Sequence, residues 1–261
     1  IFFSGQMLCR AHACRRTFRV PAPRWIRLLC QGSCAGGAQD WRWQLCAPRR
    51  TAHGRCGYAT LCNPFVGREV PPVCAEMQSL VHEHEVISEV LESLEGFLVA
   101  IKICADGDGD GQWTWDAMMQ DLEGVVQFME QYVDGMHHVK EDNILFQAML
   151  QDGGFPKAQG PVPVLVREHA LMKDLTKALR ELRKSADVND ILRIGTRYVD
   201  LMEQHIEKES SVVLPLVSEK LSAAVLMNLA ERFKEVETRY DCKALETFAY
   251  EFSKKYGAVG A

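Results

Sequence analysis

From Met77 onward, apolar residues recur at helical spacing almost without interruption. Leu80, Val81, His84, Ile87, Leu91, Leu94 and Leu98 form one stripe, which predicts a helix over about 77–103. Three glycines in Ala105–Gly111 end it. A second helix is expected over about 115–150, on Leu122, Val125, Val126, Phe128, Met129, Val133, Ile144, Leu145 and Ala148, closed by Gly153, Gly154 and Pro156. A third covers about 163–184 and a fourth about 189–214, where Pro215 should kink or end it because proline lacks a backbone donor. The stretches 217–238 and 241–256 also read as helical, and no strand pattern of useful length is present. Four long helices with short breaks predict an all-α fold: an up-down antiparallel four-helix bundle with extra C-terminal helices.

Composition divides the chain in two. Of its 261 residues, the first 75 hold eleven Arg, no Lys, one Asp and one Glu, a charge of +9, and eight of the ten Cys. The remaining 186 carry 19 basic and 33 acidic residues, a charge of −14. The bulk charge of −5 is an average and bears on no nucleic-acid partner. Cysteine spacing in residues 1–75 suits neither a zinc finger nor any other repeat, and Pro21, Pro23 and Pro48 interrupt any amphipathic period of a presequence. This segment is expected to be unstructured or a non-native extension, with Met77 a natural start for the helical chain. The expected organisation is therefore 1–75, a metal-binding bundle over 77–220, and a helical extension over 221–261. Only Cys104 and Cys242 fall in the acidic part, which suggests a reducing, cytoplasmic setting. No apolar run approaches the roughly 18–20 residues of a membrane span, and neither a membrane nor a nucleic-acid partner is expected.

The informative feature is where the histidines fall. Each long helix interrupts its apolar stripe at mid-length with a His or a His/Glu pair: His84, then His137 with Glu141, then His169, then His205 with Glu209. An i, i+4 pair shares one helix face. Burying these groups unpartnered would cost several kcal/mol per charge. Divalent iron or manganese removes that cost, since it accepts imidazole nitrogen and carboxylate oxygen together. Two facing pairs could bridge two ions through their carboxylates. His82 and His138 sit about 100–200° off the ligand faces and are expected behind the site or in solvent. Asp142 and Glu85 are candidate acceptors for a ligand imidazole, and Tyr198 a candidate lining residue. Asp106, Asp108, Asp110 and Gly111 imitate the start of a calcium loop, but its twelfth position is Ala117 instead of a bidentate Glu, so a solvated turn is the better reading.

The segments Glu83–Ile87, His137–Asp142, Arg167–His169 and Gln204–Glu209 resemble the hemerythrin-like, His-His-Glu cation-binding domain over about residues 77–220. The resemblance implies a four-helix bundle holding two iron ions in a non-haem centre, with His84, His137, Glu141, His169, His205 and Glu209 as ligands. It implies a small ligand (O2, NO or a peroxide) and leaves any protein partner open. Lys173 stands where oxygen-carrying hemerythrins offer a second His, and Glu209 lies four after His205 where they have an Asp five after. Both features resemble the broader branch of the family, associated with iron or oxygen sensing and with protection against reactive nitrogen or oxygen species. One fewer His would leave a coordination position to water or substrate. An iron-dependent oxidase or peroxidase, and a helical interaction module with little or no metal, are the alternatives.

Overall fold

The computed structural model describes residues 64–65, 67–107, 111, 113–185 and 187–259. The expectations for residues 1–63, and for Asp108 and Asp110, lie outside these residues. The described chain is helical, with no strand among the described residues. We label α1 Gln78–Asp106, α2 residues 115–151, α3 Pro161–Ser185, α4 residues 188–220, α5 Ala223–Glu237 and α6 Cys242–Tyr256.

Local chemistry sets these boundaries. Gly107 adopts φ 74°, a left-handed cap that L side chains resist, and stops α1. Thr114, Asp187, Ser222 and Asp241 each accept a backbone N–H at the start of the following helix. Gly160 at φ 90° turns the chain into Pro161, which suits a first helical turn because its missing donor has no partner there in any case.

Two helices run past the expected α-geometry. Within α2, Met129–His137 and Glu141–Leu145 are π-helical, and within α4 so is Glu209–Val213. This last turn explains why Pro215 does not end α4. The wider loop closes with Leu214 N–H donating to Glu209 O, so Pro215 falls in the first turn of Leu214–Lys220, where a missing N–H is tolerated. The break comes instead at Leu221, whose ψ of 143° is extended.

Neighbours in the bundle follow chain order: α1 packs on α2 and α4, and α3 on α2 and α4. The two-residue connection between α3 and α4 forces them antiparallel. Leu80, Ile87, Leu94, Leu122, Met129, Leu165, Met172, Leu201 and Met202 fill the interior, each large side chain contributing roughly 1.5–3 kcal/mol of burial. Residues 64–74 run beside the end of α4: Phe65 is buried, Arg68 forms a two-pronged ion pair with Glu219, and Cys74 N–H donates to Ser218 Oγ.

The C-terminal helices spend their apolar faces on the bundle. Helix α6 lies across α1 and α2, with Tyr256 edge-on to Phe97 at 5.2 Å and stacked on Trp113 at 5.2 Å. Gly96 makes this approach possible, because a Cβ there would sit 2.1 Å from Tyr256 O. Helix propensity alone would reward Gly96→Ala by roughly 0.5–1 kcal/mol. The steric conflict is with backbone that cannot swing away, so the sign should reverse. Gly96→Ala is expected to destabilise the protein by about 1–3 kcal/mol in urea unfolding; a variant as stable as the parent would show that α6 does not dock as described.

Candidate metal centre

At mid-length the four bundle helices turn polar side chains inward. Helix α1 supplies Glu83 and His84; α2 supplies His137, His138, Lys140 and Glu141; α3 supplies Glu168 and His169; α4 supplies His205 and Glu209. All of these are buried. The structure brings together all six residues picked out from spacing, and adds His138. Two groups form around the shared Glu141: His84, His137, Glu141 and Glu209, and His138, Glu141, His169 and His205, the donor atoms of each group lying within 4.8 Å of one another.

His138 corrects the sequence reading. It is fully buried, its ring stacks on His169 with centroids 3.9 Å apart, and it meets His205 edge-on at 5.8 Å. The signal was present in the chain: His138 and Glu141 are i, i+3, a spacing that shares a face as surely as i, i+4. The imidazole that Lys173 does not supply on α3 is thus matched by one from α2, so the cage holds five imidazoles. His82 and Glu85, by contrast, face outward with side chains 58% and 74% exposed. Glu85 therefore touches no inward imidazole. Tyr198 is buried beside Asp134, one step behind His138, and burial, with the charge of Asp134 adding to it, pushes its phenol well above the usual range.

Every inward imidazole is held from behind. The Nδ1 atoms of His137, His138, His169 and His205 lie 2.9, 3.1, 2.9 and 3.0 Å from oxygens of Glu83, Asp134, Asp142 and Glu168. His84 Nδ1 lies 3.2 Å from Ser210 Oγ. An ionised carboxylate only accepts, so Nδ1 carries a proton in those four rings, and in each ring that is neutral Nε2 is left with a bare lone pair pointing inward. His169 Nε2 and His205 Nε2 then face each other at 3.0 Å. Two neutral rings oppose their lone pairs at that distance, so the contact calls for a shared proton or a cation against both.

The carboxylates tell the same story. Among the described residues, Glu141 and Glu209 have no hydrogen-bond partner on either oxygen, and neither do His84, His137 and His138 at Nε2. The nearest approaches are His84 Nε2 to Glu209 at 3.2 Å, His205 Nε2 to Glu209 at 3.3 Å, and His169 and His137 Nε2 to Glu141 at 3.4 and 3.5 Å. Burial pushes Glu141 well above the usual carboxylate range, and the charge of Glu209 pushes it further. Burial also opposes ionisation of Glu209, but in the metal-free protein a proton on His205 outweighs it and holds that carboxyl low, while the charge of Glu209 raises His205 in spite of its burial. Burial brings His137 down to about 4, the neutral state in which imidazole binds a metal. Both nearby ammonium groups are engaged elsewhere: Lys140 with Glu83 and Glu237, and Lys208 with Glu168 at 2.9 Å. Among the described residues, no lysine or arginine thus pairs with either buried carboxyl group. Nitrogen and oxygen donors converging in this way fit a divalent transition metal.

An internal two-fold pattern underlies the cage. Each half offers a Glu-His dipeptide (Glu83-His84, Glu168-His169) followed on the next helix by His-x-x-Lys-Glu (His137 to Glu141, His205 to Glu209). In each half the Glu accepts from the His of the next helix and pairs with its Lys. The residue after each inner Glu, Asp142 or Ser210, meets the first His of the other half. Both inner glutamates also open a π turn, as side chains at functional sites often do. Spacing analysis missed Glu83, Glu168, Lys140 and Lys208, although the repeat is readable in the sequence.

Cobalt(II), added to the metal-free protein, is expected to raise its melting temperature, with about 2.7 kcal/mol of stabilisation at a hundredfold excess over Kd. His138→Ala and Glu209→Ala should each lose at least half of the bound metal measured by elemental analysis, while His82→Ala keeps it all. Undiminished metal in His138→Ala would return that residue to a packing role.

The hemerythrin HHE cation-binding domain model matches residues 78–217, more than half of the chain. Comparison with curated proteins and with solved structures gives no significant match. The match spans all four helices that build the cage, and the chain belongs to the hemerythrin HHE cation-binding domain family.

Proposed function

We propose that this protein is a non-haem di-iron protein that binds or senses O2, NO or a peroxide. The observation that supports this reading best is the pair of buried carboxyl groups, Glu141 and Glu209, ringed by five inward imidazole nitrogens and paired with no lysine or arginine among the described residues. In the proposal His84, His137, Glu141 and Glu209 would hold one ion, and His138, Glu141, His169 and His205 the other. Bound iron would supply the redox-active, oxygen-philic centre that these side chains cannot provide themselves.

The chain's own groups have three tasks in this reading. Glu83, Asp134, Asp142 and Glu168 fix the tautomer and aim of four imidazoles, which raises their donor strength. Phe146, with its ring 5.7 Å from that of His169, and the apolar residues of α3 and α4 keep bulk water from the donors. Glu141, whose proton affinity is raised by burial and by Glu209, would give up a proton where a cation took its place. The interaction-module alternative gains no support from the tail, because α6 buries Ala249, Phe252 and Tyr256 against the bundle.

Anaerobic iron loading followed by absorption spectroscopy is the test. The expected result is two irons per chain and a visible charge-transfer band that appears with O2 or NO and reverses when the gas is removed. Irreversible, repeated consumption of peroxide would favour the oxidase or peroxidase reading instead. Full uptake of iron with no spectral response to O2, NO or peroxide would overturn both.

A further inference from the structure

The internal two-fold pattern breaks outside the cage. In the second half, Lys208 is 11% exposed and pairs with one carboxylate, Glu168, among the described residues. In the first half, Lys140 is 0% exposed and bridges two: Glu83 of α1 and, at 2.5 Å, Glu237 in the last turn of α5. The ammonium of Lys140 also lies 5.8 Å from the ring centre of Phe233 on α5. Arg232 of α5 donates to Asn143 O at 3.4 Å, so α5 meets α2 on both sides of Glu141 in sequence. Helix α5 lies outside the family match, which stops at residue 217, yet it ends on a chain of contacts running to a proposed ligand.

We propose that α5 is a retention clamp for one of the two metal positions, acting through the file Glu237–Lys140–Glu83–His137. This inference rests on the metal reading above. Glu83 accepts the Nδ1 proton of His137 at 2.9 Å, which orients the ring and strengthens Nε2 as a donor. Lys140 competes for that same carboxylate. Glu237 shares the ammonium and so leaves Glu83 more of its charge for His137. Without Glu237, the charge of Lys140 falls on Glu83 alone, and His137 becomes a weaker, less firmly held ligand. The second position relies on His205, Glu168 and Lys208, whose hydrogen bond and ion pair run between α3 and α4. The two ions should therefore leave at different rates, and only the one at His84 and His137 should respond to α5. Glu237 is a positioning residue in this scheme, since it meets no ligand atom itself.

The full chain, loaded with cobalt(II) and chased with a chelator, gives the test. Glu237 is 32% exposed, so its replacement should leave the fold intact, and the melting temperature of the metal-free protein checks this. Glu237→Gln is expected to speed one of two release phases by about tenfold or more and to leave the other unchanged. Glu237→Asp, which keeps the charge, should recover most of the slow release. Lys208→Met, which removes the competing ammonium from Glu168, should slow the other phase. Equal acceleration of both phases by Glu237→Gln would mean general loosening and would overturn the clamp. Two bound ions with unaltered release would overturn the clamp alone, whereas absence of cobalt from the parent protein would remove the metal reading with it.

Discussion

Two buried carboxyl groups, Glu141 and Glu209, organise the centre of this protein. Both are buried, have no hydrogen-bond partner among the described residues, and lie closest to the Nε2 atoms of inward imidazoles. Left so, the arrangement would be strongly destabilising, because removing one partner of a buried ion pair costs roughly 3–5 kcal/mol. A divalent cation turns the same atoms into a coordination shell. The rest of the fold can be understood as keeping those atoms aimed. Four helices each contribute at mid-length, π turns open at both inner glutamates, and four carboxylates and a hydroxyl stand behind the five rings.

Much of this was legible in the chain, and what escaped did so for definite reasons. The helices announced themselves because long amphipathic stripes average over many positions. The six first-chosen residues were visible because each interrupts an apolar stripe. His138 was lost by counting angles from His137 when the reference should have been Glu141, its i+3 neighbour. Glu83 and Glu168 were hidden by a different limit: their role depends on which helices lie side by side, and periodicity along one helix cannot report that. Glu85 was favoured in place of Glu83 for the same reason. Pro215 does not end α4, because a π turn before it, invisible in composition, puts it in a first helical turn.

The C-terminal helices change the view of where the functional unit ends. The family match stops at residue 217, but Glu237 reaches Lys140, and Tyr256 settles against Gly96. The first contact carries charge to the edge of the cage; the second anchors α6 by shape. A buried lysine needs carboxylates around it, and one of the two that serve Lys140 comes from beyond the bundle. Extension and bundle are in this sense one electrostatic object.

Anomalous scattering from crystals grown with iron or manganese tests the cage most directly. Two peaks are expected about 3.5–4 Å apart, one against His84, His137 and Glu209, the other against His138, His169 and His205, with Glu141 reaching both. A cage free of anomalous signal at saturating metal, with the peaks lying only on surface carboxylates, would contradict it.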